Sequence, residues 1–268
     1  MKKYLLIIVL SLLSLPSAVS SQTAGDLGAR NNNSTTTQTS FQKLFNQAQD
    51  NYNIGEYATA VQLLERALKI EPKNAQAHYR LGSCYYELAN YKKAIEAYRQ
   101  ALNLKPDYYE AAVYLGNSLD YDGQFEQAIE MYKKAIQLKP DQWQPHYELG
   151  IAQYRQKLFS EAALSFQETI KRGESIDSAS RIETLARSHY FLGDSYRMSK
   201  KFTEAIKAYQ EAIKIDDELD LAYFGLGMAY VGLGNSSAAR QQYAKLRDMN
   251  RDLAAELLAE INKIQLAT

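Results

Sequence analysis

Side-chain catalysis asks first for a histidine, an activated thiol or a pair of carboxylates, and this sequence offers few of them. Three histidines occur, His78, His146 and His189, and none lies in an His-Glu-x-x-His run or a comparable metal-ligand spacing. Cys84 is the single cysteine, so no internal disulfide can form. A reactive thiol needs an exposed, electropositive niche. Acidic neighbours such as Asp216 and Asp217 fall at the expected end of a helix and read as hydrated surface. There is no Gly-rich phosphate loop, no Gly-x-Ser-x-Gly and no dinucleotide fingerprint. The residues predict no enzyme, no cofactor and no metal site. Lys plus Arg and Asp plus Glu number 31 each, which gives no electrostatic footprint for nucleic acid.

The elements that would position any functional residue are repeated. Pro72, Pro106 and Pro140 stand 34 residues apart, as do Gly82, Gly116 and Gly150. A Leu-Gly pair recurs at Leu81-Gly82, Leu115-Gly116, Leu149-Gly150, Leu192-Gly193 and Leu226-Gly227. With each unit numbered so that its Pro falls at position 32, aromatics recur at 17 and 24 and Ala at 20 and 27. These offsets place one apolar stripe on each of two helices joined by a short turn. A helix-interior Gly costs about 1 kcal/mol relative to Ala, so five at one phase imply close helix packing there. Facing them at position 20 are Ala94, Ala128, Ala162, Ala205 and Ala239. Proline at 32 stops the second helix. A period of this size signals a stacked helical solenoid.

The pattern resembles the tetratricopeptide repeat family from Phe41 to about Leu253, with the second unit carrying Leu81, Gly82, Tyr85, Ala94, Tyr98, Ala101 and Pro106. The resemblance implies an all-α, right-handed superhelical solenoid of about six helix-turn-helix repeats: 41–74, 75–108, 109–142, 143–176, 186–219 and 220–253. The first unit departs from the pattern with Gln47-Ala48 for Leu-Gly and Leu64 for the second-helix aromatic. The fourth has Thr169 for Ala and lacks Pro. Nine extra residues follow it, Asp177 to Leu185, and include Ser180-x-x-Glu183, a capping-box pattern. Ile182, Leu185, His189, Leu192 and Tyr196 keep helical spacing through this stretch, so the fifth unit's first helix is expected to start about two turns early. A capping helix is expected over 252–265, with Leu253, Leu257, Ile261 and Ile264 on one face.

In the family frame the three histidines all sit at position 4, a packing phase, and Cys84 sits at position 10, a small buried phase. By the same resemblance, positions 2, 5, 6, 9, 12 and 13 of each first helix face a concave groove. Position 5 reads Phe45, Tyr79, Val113, Tyr147, Tyr190, Phe224, and position 12 reads Tyr52, Tyr86, Asp120, Tyr154, Arg197, Val231. The candidate partner-binding residues are therefore Tyr52, Tyr79, Tyr86, Asn117, Asp120, Tyr147, Tyr154, Tyr190 and Arg197. Tyrosine gives a large contact area and a hydrogen-bonding tip at small entropic cost, although it is also a framework residue of the family at these phases. Asn117, at position 9, presents an amide able to bond an extended peptide backbone. The family's tail-carboxylate clamp needs Lys at position 5 and Asn at 9 of the first unit, where this chain has Phe45 and Gln49.

The amino terminus reads differently. Lys2 and Lys3 precede an apolar run from Tyr4 to Leu15, ended by Pro16 and followed by Ala18-Val19-Ser20, which together predict an export signal over 1–20. The run is 12 residues, and its helical length of about 18 Å is short for a bilayer core of roughly 30 Å. An uncleaved anchor is the alternative, and is the only expected route to a membrane. Residues 21–40 are mostly Ser, Thr, Asn, Gln and Gly and read as a disordered linker to a solenoid over 41–268. The expected function is a non-enzymatic scaffold that holds a peptide or partner protein in the groove, in the periplasm or secreted. A regulatory or targeting subunit of a cell-envelope enzyme is one alternative. A glycan or small-molecule binder that uses the groove aromatics is another.

Overall fold

The computed structural model describes the backbone of residues 31–267 and the side chains of residues 38–263. The expected export signal and residues 21–30 of the expected linker lie outside the described residues.

Residues 40–268 form one compact unit, and thirteen α-helices occur among the described residues. They pair as α1 (Asn31–Asn53) with α2 (Tyr57–Ile70), α3 (Ala75–Glu87) with α4 (Tyr91–Leu104), and α5 (Tyr109–Tyr121) with α6 (Phe125–Leu138). The series continues with α7 (Gln144–Arg155) and α8 (Phe159–Lys171), α9 (Arg181–Met198) and α10 (Phe202–Ile215), and α11 (Asp220–Gly232) and α12 (Ser236–Met249). Helix α13 (Arg251–Ala267) closes it. The architecture is an all-α solenoid of six repeats and a capping helix.

Each phase of the repeat has a packing reason. The Ala residues at position 20, from Ala94 to Ala239, are completely buried, and the aromatics at position 24 are the largest buried side chains: Tyr98, Tyr132, Phe166 and Tyr209. Position 8 faces these rings. A Cβ added to Gly82 would lie 2.7 Å from the Tyr98 ring, and one added to Gly116 would lie 2.6 Å from that of Tyr132. Glycine is thus required there by the ring at position 24 of the same repeat, more directly than by the Ala at position 20. In the sixth repeat the space over Gly227 is filled by Leu257 of the capping helix. Leu257 and Ile261 are fully buried, while Glu256 and Lys263 of the same helix face solvent.

The turn inside every repeat is closed in one way. The residue at position 15 is left-handed in all six: Gly55, Ala89, Gly123, Lys157, Lys200 and Gly234. In the second repeat Ala89 N–H donates to Tyr86 O at 2.9 Å and Asn90 N–H to Tyr85 O at 2.8 Å, a Schellman closure that recurs in the other five repeats.

Three expectations are corrected. Helix α1 begins at Asn31, so the part of the expected linker from 31 to 40 is helical. Extending an existing helix needs no new nucleus, which offsets the modest propensity of Ser, Thr and Asn. Helix α9 starts at Arg181, five residues before the fifth unit and nearer one and a half turns than two. The capping box does not form: Ser180 Oγ donates to Asp177 at 2.9 Å, and Glu183 pairs with Arg187 at 3.1 Å.

Candidate functional site

The first helices of consecutive repeats approach one another, α3 with α5, α5 with α7, α7 with α9 and α9 with α11, and the second helices make no comparable approach. The first helices therefore form the inner wall of the stack. Two of the three histidines make structural contacts to backbone carbonyls. His78 Nε2–H donates to Pro72 O at 2.9 Å, and His146 Nε2 lies 3.5 Å from Pro140 O, which ties each first helix to the end of the preceding repeat. Cys84 is buried, and burial pushes its thiol up to about 12.

Two aromatic groups line the wall. In the second and third repeats Tyr79, Tyr86, Tyr91, Tyr98, Tyr108, Tyr114 and Tyr121 form one linked set, with Tyr114 in ring contact with Tyr79, Tyr86 and Tyr98. In the fourth and fifth repeats the set is mixed. Tyr147 packs edge-on against Phe166, Tyr154 against Phe191 and Tyr190 against Phe191, and Tyr190 also meets Tyr209 at a tilt. At position 5, Tyr79, Tyr147 and Tyr190 are half-buried and pack inward on the position-24 rings. They serve as framework at one end and surface at the other.

The polar groups of the wall fall into bonded and unbonded sets. Position 9 answers the buried hydroxyl at position 24: Tyr98 donates to Ser83 Oγ at 3.3 Å, Tyr132 to Asn117 Oδ1 at 2.9 Å, and Tyr209 to Asp194 Oδ1 at 2.9 Å. Where position 24 is Phe166, position 9 is Ile151. Asn117 therefore has its carbonyl end committed to Tyr132. Tyr52 donates to Glu87 of the next repeat at 3.3 Å, and Tyr154 donates to Asp194 of the next. Arg197 donates to Asp194, at 2.8 Å from Nε, and its Nε also lies 3.3 Å from the Tyr209 hydroxyl.

The remainder is unbonded. Arg80, in cation–π contact with Tyr79 at 5.7 Å, has a buried Nε without a partner. Asp120 pairs with Arg155 through Oδ2, but its Oδ1 is buried and has no partner. Burial raises the Asp120 carboxyl against the pull of Arg155. Glu148, half-buried on α7, makes no hydrogen bond or ion pair among the described residues. Burial and then repulsion by Asp120, opposed by Arg155, push it up to about 7.

All nine residues expected at the wall lie on first helices. Tyr79 and Tyr86 belong to the tyrosine set, Asn117 lies beneath the wall bonded to Tyr132, and Asp120 pairs with Arg155. Tyr154 and Arg197 meet at Asp194, Tyr147 and Tyr190 pack in the mixed set, and Tyr52 reaches Glu87 at the first repeat. Arg80, Tyr114, Tyr121, Glu148, Arg155 and Asp194 were not singled out. A sequence signal existed for three of them, because position 6 reads Asn46, Arg80, Tyr114, Glu148, Phe191, Gly225 and puts two opposite charges in a row otherwise without charge. No group of three or more His, Cys, Asp or Glu side chains able to hold a metal occurs among the described residues.

Family models for tetratricopeptide repeats match residues 45–109, 116–157, 193–234 and 221–252, which together span well over half of the chain. A comparison with curated proteins finds no match. Among solved structures, a tetratricopeptide repeat protein from Parabacteroides merdae is similar at 17% identity and TM-score 0.65, over 85% of this chain and 88% of that one. PilF of Pseudomonas aeruginosa is similar at 17% identity and TM-score 0.63, over 84% and 99%. YrrB, described as a repeat protein with an unusual peptide-binding site, is similar at 17% identity and TM-score 0.62, over 72% and 96%. At these identities the likeness is one of fold.

Proposed function

Because the chain belongs to the tetratricopeptide repeat family, we propose that it is a non-enzymatic scaffold that holds an extended segment of a partner protein along the wall of first helices. One observation carries this: the wall from α3 to α7 combines a linked set of tyrosines, most of them partly exposed, with polar groups that have no partner among the described residues. Buried polar groups in folded proteins are nearly always bonded, so a wall that leaves Arg80 Nε and Asp120 Oδ1 without partners is incomplete by itself. Half-exposed tyrosines supply contact area that is already ordered, which lowers the entropic cost of capture. YrrB, of the same fold, is described as having a peptide-binding site, in keeping with this use of the wall. Export through the 1–20 segment would place the scaffold outside the cytoplasm, and that part of the proposal rests on the amino-terminal sequence alone.

The test is hydrogen exchange of the full chain with a peptide selected from a random library. Protection is expected at α3, α5 and α7, with the second helices unchanged. Protection confined to α4, α6 and α8 would place the ligand on the outer face and overturn the reading.

A further inference from the structure

Between the third and fourth repeats the wall carries more negative charge than its own cations balance. Asp120, on the neighbouring helix, disfavours ionisation of Glu148, and one guanidinium, Arg155, pairs with Asp120 and favours the Glu148 carboxylate as well. Asp120 is only 8% exposed, and the oxygen turned away from Arg155 is buried without a donor. Glu148 has no donor at all among the described residues. Aromatic rings border the same point. After burial itself, the Glu148 charge is the largest influence that raises the phenols of Tyr121, Tyr132 and Tyr147, and it also raises that of Tyr86. Tyr86 meets Tyr121 edge-on at 5.8 Å, and Tyr121, 39% exposed, stacks on Tyr91 at 5.0 Å.

We propose that Glu148 and Asp120, bordered by Tyr86 and Tyr121, form a subsite for one cationic side chain, lysine or arginine, of the segment lying along the wall; this rests on the scaffold reading above. An ammonium carries three donors and a guanidinium five, enough to serve both the Asp120 Oδ1 and the Glu148 carboxylate. Aromatic ring faces attract the same cations. A divalent metal suits the place poorly, since hard cations take six or more oxygen ligands and no third His, Cys, Asp or Glu side chain joins these two among the described residues.

The experiment selects short random peptides against the full chain and against the Glu148→Gln variant. Peptides selected by the wild type are expected to share a lysine or arginine at one place. Replacing that residue by norleucine should weaken binding to the wild type about tenfold, and Glu148→Gln should bind both peptides equally. Tyr121→Leu, at an exposed position, should weaken the basic peptide severalfold and leave the norleucine peptide unchanged. Wild-type peptides with no basic preference, protected on the same helices, would overturn the subsite and leave the scaffold standing. Failure to select any peptide would overturn both. Thermal stabilisation of the wild type, but not of Glu148→Gln, by magnesium or calcium chloride would assign the carboxylates to a metal ion and overturn the subsite.

Discussion

The wall at the fifth repeat and the wall at the second to fourth repeats are built from the same positions and finish differently. In the fifth repeat Asp194 receives Tyr209 from its own second helix, Arg197 from one turn along α9, and Tyr154 from the preceding repeat. Asp194, Arg197, Tyr154 and Tyr209 thus answer one another inside the chain, while Ser195 Oγ on the same helix is buried without a partner among the described residues. In the earlier repeats position 9 still answers position 24, through Ser83 and Asn117, and Asp120 pairs with Arg155 of the next repeat, but no single acceptor gathers the surface as Asp194 does. Tyr86 meets rings and the Tyr121 hydroxyl, Arg80 is left with a ring contact, and Glu148 has no hydrogen-bond or ion-pair partner among the described residues. One repeat can thus seal its surface or leave it open without altering its core. The fifth repeat differs in having one buried acceptor, Asp194, that collects donors from its own two helices and from Tyr154 of the repeat before.

The sharpest way to break this comparison is to remove the acceptor that seals the fifth repeat. Asp194→Ala takes the counter-charge from the Arg197 guanidinium and the acceptor from two tyrosine hydroxyls, and loss of one member of a buried pair costs about 3 kcal/mol or more. Because each repeat is stabilised mainly by its neighbours, the loss should appear as faster hydrogen exchange in α8 to α10, with α3 to α5 nearly unchanged. Uniform loss across the solenoid would show that the sealed cluster supports more than its own surroundings.

The open half should respond in the opposite sense. Glu148 is held above its ordinary range, at about 7, by burial and by Asp120. A carboxyl raised in the folded state favours folding fully below its unfolded value and loses that contribution as pH rises through its folded value. The wild type should therefore lose stability between about pH 4.5 and pH 7.5 in a way that Glu148→Gln does not. At pH 5 the two should melt together, and at about pH 8 the variant should melt several degrees higher. A variant that melts lower at the higher pH would mean that Glu148 is already compensated inside the chain. A side chain that lowers stability while facing an open wall fits one kept for a ligand.

Much of the framework was legible because packing repeats with the sequence. The Leu-Gly pairs, the buried Ala column and the prolines all report one period, and Leu257 and Ile261 mark the cap as the spacing indicates. The left-handed turns were written there as well, in Gly55, Gly123 and Gly234 at one phase. Ala89, Lys157 and Lys200 hid the column, because a repeat can bear the strain of a non-Gly residue once the Schellman bonds hold the turn. The wall was legible by position and not by bonding. That Tyr154 reaches Asp194 depends on which side chain stands 40 residues on, a relation no single repeat contains. Asn117 looked like a free amide because its partner Tyr132 lies on another helix at a phase read only as core. Ser180-x-x-Glu183 misled for a similar reason: Asp177 offered the hydroxyl a nearer acceptor.

The smallest predicted effect separates turn from wall. Ala89 lies in the open half and Lys200 beside the sealed cluster, yet both occupy the same left-handed position, with φ of 54° and 59°. Both are exposed, and neither side chain takes part in an ion pair or a side-chain hydrogen bond among the described residues. The left-handed conformation costs an L-residue about 1 kcal/mol or more, partly offset by the greater freedom glycine loses on folding. Ala89→Gly and Lys200→Gly should each raise Tm by a degree or two, and by similar amounts. Similar shifts would show that the turns are one device repeated, so that the two halves differ only in what their first helices present. A shift at Ala89 without one at Lys200 would mean that the sealed cluster also braces its turn, and the boundary between scaffold and wall would have to be redrawn inside the fifth repeat.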